Sequence, residues 1–208
     1  MAEIDSKLTY PTRPLSINRT LNMDCRPVAL LGGACTLGAT IAYQLAAQGY
    51  TPIIIDHDQA SALDIVAHEP RVRFKSIPVL TIDVLTTTLS QAVSQLAPLT
   101  GVVQVPKNGE RYMQLLGYST LAQFCQADAA CVTIHPHGEP TALHHDDVSD
   151  TNCLQRINRV SFWLDHNLNS DDETLSVREK CEVLSPLVCF LLGRDSKCIN
   201  KQIVSVKL

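Results

Sequence analysis

One glycine-containing segment carries the residue types best suited to binding a charged ligand. Gly32 to Gly38 stands between the apolar run Pro27 to Leu31 and a stretch whose apolar residues recur at helical spacing from Leu37. The apolar run is typical of a strand covered on both faces of a parallel sheet. A helix that starts in such a turn directs unpaired N–H groups and its positive dipole end at the turn, and glycine lets an anion approach the backbone. The segment therefore predicts a phosphate or diphosphate site.

An acidic residue follows at the distance that a dinucleotide site requires. Asp56 ends a second apolar run, Pro52 to Ile55, which also reads as a buried strand. A carboxylate there accepts hydrogen bonds from the ribose 2′-hydroxyl of NAD and repels the 2′-phosphate of NADP. The order of strand, turn, helix and acid predicts a dinucleotide site, with NAD favoured by Asp56; the alternative is a plain tight turn that holds no cofactor. The predicted contacts are Gly32, Gly33, Thr36, Leu37, Gly38 and Asp56.

The elements that position this site alternate between strands and helices. We predict a short helix from Ala60 to Ala67, a third strand from Val79 to Ile82 that ends at Asp83, a helical stripe over 85–96 and a fourth strand from Gly101 to Val105. Such spacing implies right-handed βαβ crossovers. The predicted fold class is α/β, a three-layer, doubly wound parallel sheet of Rossmann type. Residues 27–208 form one domain in this prediction, and residues 1–26 form an N-terminal arm.

The second half of the sequence is less regular. The pattern favours a helix from Tyr112 to Gln126, a strand from Cys131 to Ile134, a polar loop over 135–152, a helix from Val183 to Leu192 and a closing strand from Gln202 to Val206. This half is short for a doubly wound sheet.

The segment Ala29 to Ala42 resembles the nucleotide loop of the short-chain dehydrogenases/reductases, especially the pteridine reductase and dihydromonapterin reductase branch. Thr36 stands where that branch commonly has arginine. Ile82-Asp83-Val84 is similar to the Asp-Val pair that contacts adenine after the family's third strand, which implies binding roles for Asp83 and Val84. The tail from Ser185 onward resembles the family's closing helix and strand. The resemblance implies an NAD(P) cofactor and a reductase ancestry.

The residues of the family's catalysis are missing. The family uses a tyrosine, a lysine four residues later and a serine, in which the tyrosine transfers a proton and the lysine lowers its pKa. Tyr118 is the weak candidate for the tyrosine, and Ala122 stands at the lysine position; Tyr112 has Leu116 there. We therefore predict a protein without the standard catalysis.

The span from Val105 to Ser185 is also short, by about 30 residues or more relative to the usual βα units. Two registers explain the loss. Cys131 to Ile134 is either the strand before a shortened tyrosine helix or the strand after it, with the preceding strand deleted.

Composition excludes several classes of function. A net charge of −4 gives no general attraction to nucleic acid or anionic membranes, and no apolar run reaches the roughly 20 residues of a membrane span. The eight cysteines include no CxxC pair, which favours reduced thiols and a cytoplasmic protein. His135, His137, His144 and His145 beside Asp146 and Asp147 lack a metal-ligand pattern, so we predict a solvated loop and no metal.

Two functions fit these observations. The first is a pseudoenzyme that binds a dinucleotide and serves as a binding or scaffold protein, pairing with itself as a homo-oligomer or with a related subunit. The second is an active NAD(P)-dependent reductase of a pterin or another small carbonyl compound that uses a different acid.

Overall fold

The computed structural model describes residues 25–106, 112–136, 156–163, 177–199 and 203–207. These parts of the chain contain seven strands, six α-helices and one 3₁₀ turn. The strands are β1 (Pro27–Leu31), β2 (Thr51–Asp56), β3 (Arg73–Ser76), β4 (Leu99–Gln104), β5 (Cys125–Pro136), β6 (Arg156–Trp163) and β7 (Ile203–Lys207). The helices are α1 (Thr36–Ala47), α2 (Gln59–His68), α3 (Ile82–Gln95), α4 (Tyr112–Leu116), α5 (Tyr118–Ala122) and α6 (Val177–Leu192).

All the strands lie in one parallel sheet, in the order β3-β2-β1-β4-β5-β6-β7. The strand order reverses at β1, which pairs with β2 on one side and with β4 on the other. Consecutive parallel strands need long crossovers, and within the described part of the chain helices supply them. The predicted doubly wound α/β sheet is therefore confirmed. The N-terminal arm proposed for residues 1–26 lies almost wholly outside the described residues.

The sheet is the middle layer of three because apolar side chains cover both of its faces. Along β1, Val28 and Leu30 join a cluster with α1, α2 and α6, whereas Ala29 and Leu31 join a second cluster with α3, α4 and α5. Every side chain from Val28 to Leu31 is fully buried. This two-sided burial explains why the central strands show no polar alternation in the sequence.

The predicted third strand, Val79 to Ile82, is wrong. The third strand is β3, and Ile82 instead begins α3, with the Thr81 hydroxyl capping the helix by accepting from the Val84 N–H at 3.3 Å. As an edge strand that pairs only with β2, β3 needs little apolar coverage, and none of its residues is fully buried. The apolar run misled the prediction because Val79 is 59% exposed.

The predicted helix from Tyr112 to Gln126 is also corrected. Gly117 has φ = 70°, which breaks the helix into α4 and α5, and β5 already begins at Cys125. A positive φ is readily adopted by glycine and not by residues with a Cβ. The helical pattern was real, but the break at Gly117 divides it.

β6 was missed by the sequence analysis and decides between the two registers. It pairs in parallel with β5, whose span includes Cys131 to Ile134, so no strand is deleted before β6. The crossover between β5 and β6 lies outside the described residues. His135 and Pro136, predicted as loop, end β5.

One connection departs from the predicted handedness. The β1–α1–β2 crossover moves in one direction along the sheet and β6–α6–β7 in the other, yet α1 and α6 pack on the same face. The two connections must therefore have opposite hands, although right-handed crossovers are the strong rule. The consequence is that α1 and α6 lie side by side.

Candidate functional site

The glycine turn lies where the strand order reverses, at the carboxyl end of β1. The turn begins at Gly32, whose φ is 75°, and α1 starts at Thr36. Ligands of open α/β sheets bind in the crevice at such a switch point. The structure thus places the predicted phosphate turn at the expected edge of the sheet.

The other two glycines are required by close backbone packing. A Cβ on Gly38 would lie 2.1 Å from the carbonyl oxygen of Gly33, and a Cβ on Gly33 would lie 2.9 Å from the Cβ of Leu30. The first turn of α1 therefore rests directly on the backbone that leaves β1. This contact fixes the direction in which the helix N-terminus points.

The N–H groups of the turn fall into two sets. The Cys35 sulfur caps α1 by accepting from the Gly38 N–H at 3.5 Å, and the Ala34 N–H donates to Asp56. Within the described part of the chain, no acceptor is seen for the N–H groups of Thr36 and Leu37. Unsatisfied amides in the first turn of a helix are the groups that hold an anion. Thr36 is exposed, so solvent and solutes reach this end of α1.

The Asp56 carboxylate stabilises the glycine turn through backbone hydrogen bonds. The carboxylate is fully buried; Oδ2 accepts from the Ala34 N–H and Oδ1 from the Asp58 N–H, each at 2.9 Å. The His57 Nδ1 also lies 3.4 Å from Oδ1. A buried carboxylate is stable only when such donors compensate its lost hydration. Asp56 therefore links the ends of β1 and β2, and its predicted contact with a ribose stays a prediction.

Asp83 and Val84 lie in the first turn of α3, beyond the loop that follows β3. Their predicted position directly after the third strand is wrong, because that strand ends at Ser76. Ile77 is the residue that follows β3, and its side chain is buried in the core. Asp83 is exposed at the N-terminal end of α3, where an acidic side chain favours the helix dipole.

Neither tyrosine stands where the family's chemistry would need it. Tyr112 is fully buried in the core, and Tyr118 is partly buried against the same cluster. Both lie between β4 and β5, on the path by which the chain returns from the carboxyl edge of the sheet to its amino edge. The structure does not bring Tyr118 to the end of β5.

A row of polar side chains was missed by the sequence analysis. Gln104 pairs in register with Thr133 on the neighbouring strand, and both side chains are at least nine-tenths buried at the carboxyl half of the sheet. His135 follows two residues after Thr133, so it lies on the same face, and it is partly buried. The signal was the alternation of polar residues at 133 and 135 within an apolar strand.

None of the cysteines in the described part of the chain forms a disulfide, and several are buried packing groups. Burial raises the pKa of Cys125 and of Cys189 to about 12 each. Burial, with a smaller effect of Cys125, raises the pKa of Cys131 well above its ordinary value. These thiols therefore remain protonated at neutral pH and act as small apolar side chains.

Metal and membrane sites were also sought. Within the residues that the structure describes, no group of histidine, cysteine and acidic side chains has the arrangement of a metal site. His137, His144, His145, Asp146 and Asp147 lie outside those residues. None of the helices in the described part of the chain has the length and apolar character needed to cross a bilayer.

Comparisons with known proteins find likeness in structure alone. No protein-family model and no curated protein matches the sequence. An actinorhodin polyketide ketoreductase variant with NADPH matches with a TM-score of 0.64 and 12% identity, over 88% of this chain and 96% of that one. A short-chain oxidoreductase from Clostridium thermocellum, solved without ligand, matches with a TM-score of 0.64 and 16% identity, over 88% and 91%. A glucose/ribitol-type short-chain dehydrogenase/reductase from Brucella melitensis gives 0.64 and 12%, over 88% and 94%.

These identities show the fold and not the activity. The likeness covers most of this chain and most of each solved chain. The chain has the Rossmann-type fold of the short-chain dehydrogenases/reductases.

Proposed function

We propose that this protein binds a nicotinamide dinucleotide at the Gly32–Gly38 turn and acts as a binding or scaffold pseudoenzyme. The observation that carries the proposal is the turn itself: the Gly33–Gly38 contact directs the N-terminus of α1 toward the carboxyl edge of the sheet, where the N–H groups of Thr36 and Leu37 would face a diphosphate. A diphosphate held by backbone amides needs no positively charged side chain. The actinorhodin ketoreductase, described with NADPH, has the same fold.

NAD is the proposed cofactor in preference to NADP. Asp56 and Asp58 place two carboxylates at the end of β2, which is where the adenosine ribose of a dinucleotide would lie. Their charge disfavours a 2′-phosphate. The bound nicotinamide ring would supply hydride chemistry only if a proton-transferring group stood beside it.

The lack of the tyrosine and lysine pair supports the non-catalytic role. Tyr112 is buried and Tyr118 lies on the return path to β5, so neither side chain is placed beside a ring at the carboxyl edge. Loss of a group that sets a catalytic pKa costs orders of magnitude in rate. A partner, either a second copy or a related active subunit, would then use the protein's surface, and a cytoplasmic setting fits reduced thiols.

An active reductase of a pterin or another small carbonyl compound is the second candidate. The row of Gln104, Thr133 and His135 favours it, because a histidine at the end of β5 has the chemistry of a general acid. In this case His135 would replace the missing tyrosine. The assay follows NADH turnover with a dihydropterin or a panel of quinones. Turnover that is lost in His135→Ala and unchanged in Tyr118→Phe would establish the second candidate over the first.

The binding proposal is tested by a charge placed where the diphosphate would lie. Thr36→Glu puts a carboxylate at the N-terminal end of α1, so it is expected to abolish NADH binding while leaving the free energy of unfolding unchanged or slightly higher, because an acidic residue favours a helix N-terminus. Thr87→Glu is the matched control, since Thr87 is an exposed threonine within α3. Binding is measured by titration calorimetry with NADH and NADPH.

Three results decide the matter. Binding of NADH by the wild type and by Thr87→Glu, but not by Thr36→Glu, supports the site. Failure of wild-type protein to bind either cofactor at millimolar concentration overturns the proposal, as does equal binding by wild type and Thr36→Glu.

A further inference from the structure

Cys35 lies at the junction between the glycine turn and α1. Its sulfur accepts from the Gly38 N–H at 3.5 Å and serves as the N-cap of the helix. The side chain is partly exposed and packs against the apolar cluster that α1 and α6 share. A thiol in this place is therefore in contact with both the solvent and the core.

Cys181 lies on α6, the helix that packs against α1, and Cys35 packs against the cluster to which Cys181 belongs. Cys181 is in the second turn of α6 and is 5% exposed. Burial raises the pKa of Cys181, and the nearby Cys35 and then Glu182 raise it further. The more exposed Cys35 is the thiol that a small oxidant reaches first.

The α1–α6 interface brings the two backbones near each other. The two helices pack directly against each other, with Ala42 of α1 in the cluster that they share and Ser185 of α6 fully buried. Ser185 stands four residues after Cys181, on the same side of α6. Close approach of the backbones is the condition for a disulfide, whose Cα atoms usually lie within about 7 Å of each other.

We propose that Cys35 and Cys181 form a reversible disulfide when the protein meets a peroxide. Hydrogen peroxide oxidises the Cys35 thiol to a sulfenic acid and releases water. The Cys181 sulfur then attacks the sulfenic sulfur, the S–OH bond breaks, and the hydroxyl leaves as a second water with the Cys181 proton. In sum two thiols and one peroxide give one disulfide and two waters.

The bond would change the turn as well as join two helices. Bonding to Cys181 draws the Cys35 sulfur away from the Gly38 N–H, so α1 loses its side-chain cap beside the amides of Thr36 and Leu37. This second part rests on the proposed function: if those amides hold a diphosphate, oxidation is expected to weaken NADH binding at least tenfold, and dithiothreitol restores it.

The experiment treats the reduced full-length protein with hydrogen peroxide and maps the linked peptides by tandem mass spectrometry, which assigns each bonded sulfur. A Cys35–Cys181 link, absent from Cys35→Ser and Cys181→Ala and retained in Cys198→Ser, supports the proposal. Cys198 is an exposed thiol outside the pair and serves as the control. Oxidation of Cys35 to sulfinic acid without a link, or a link to a different cysteine, overturns it.

The NADH titration separates the two proposals. A link with weakened, reducible NADH binding supports both. A link in a protein that never binds NADH leaves the disulfide established and refutes the dinucleotide site, and a link with unchanged NADH affinity refutes the coupling to the turn.

Discussion

Asp56 gives the sharpest test of how the site is built. Its buried carboxylate accepts two backbone hydrogen bonds of 2.9 Å, from Ala34 and Asp58. A hydrogen bond to a charged group contributes about 1.5–3 kcal/mol to stability, and Asp56→Ala removes two of them. Removing the buried charge also removes its desolvation penalty, so we expect the free energy of unfolding to fall by about 3 kcal/mol. For a domain of this size the Tm would fall by about 6–12 °C.

The assay is urea unfolding followed by circular dichroism, with Asp64→Ala as the control. Asp64 is an exposed carboxylate on α2, 77% accessible, so its loss is expected to change stability by less than about 0.5 kcal/mol. Asp56→Asn should fall between the two variants, because its amide oxygen accepts one bond while its NH₂ group meets the other donor. A decrease of less than about 1 kcal/mol in the free energy of unfolding of Asp56→Ala would refute the stabilising role of Asp56 in the turn.

The same variant also tests the cofactor preference. Distortion of the turn weakens every dinucleotide, but removal of the Asp56 charge relieves the repulsion of a 2′-phosphate, so NADH binding should fall more than NADPH binding. Equal weakening of both would contradict the proposed preference for NAD. Circular dichroism measures the folded fraction of each variant, and the cofactor titration is corrected for it, so that unfolding is not mistaken for weaker binding.

Three further outcomes are expected. Gly38→Ala would place a Cβ 2.1 Å from the Gly33 carbonyl oxygen, so we expect a loss of about 2–4 kcal/mol by urea unfolding, against about 1 kcal/mol for Ala47→Gly at the exposed end of the same helix. Burial raises the folded-state pKa of Cys189 to about 12, so the stability that the protonated thiol contributes is complete below pH 9 and is lost as the pH rises toward 12, by up to about 1.4 kcal/mol per pH unit. Cys189→Ala should flatten the dependence of the free energy of unfolding on pH, as measured by denaturation curves, and an unchanged slope would contradict the assignment. At pH 8 a thiol reagent should label Cys198 within minutes and spare Cys189 in native protein, as read by mass spectrometry, and equal labelling would refute the burial.

The sequence by itself determined β1, β2 and the glycine turn that follows β1. Pro27 to Leu31 and Pro52 to Ile55 are apolar without alternation because both faces of the central sheet are covered, and that pattern needs no tertiary information to interpret. The glycines at 32, 33 and 38 are also recognisable in the sequence. Gly32 adopts a positive φ, and Gly33 and Gly38 approach neighbouring groups too closely for a Cβ.

Only the tertiary structure decided the rest. β3 escaped because an edge strand pairs on one side and carries polar residues, while the apolar Val79 beside it is exposed. The hydrogen bond between Asp56 and Ala34, the row of Gln104 and Thr133, and the packing of α1 against α6 each join residues far apart in the chain. Such contacts depend on strand register and helix packing, which local residue patterns do not encode.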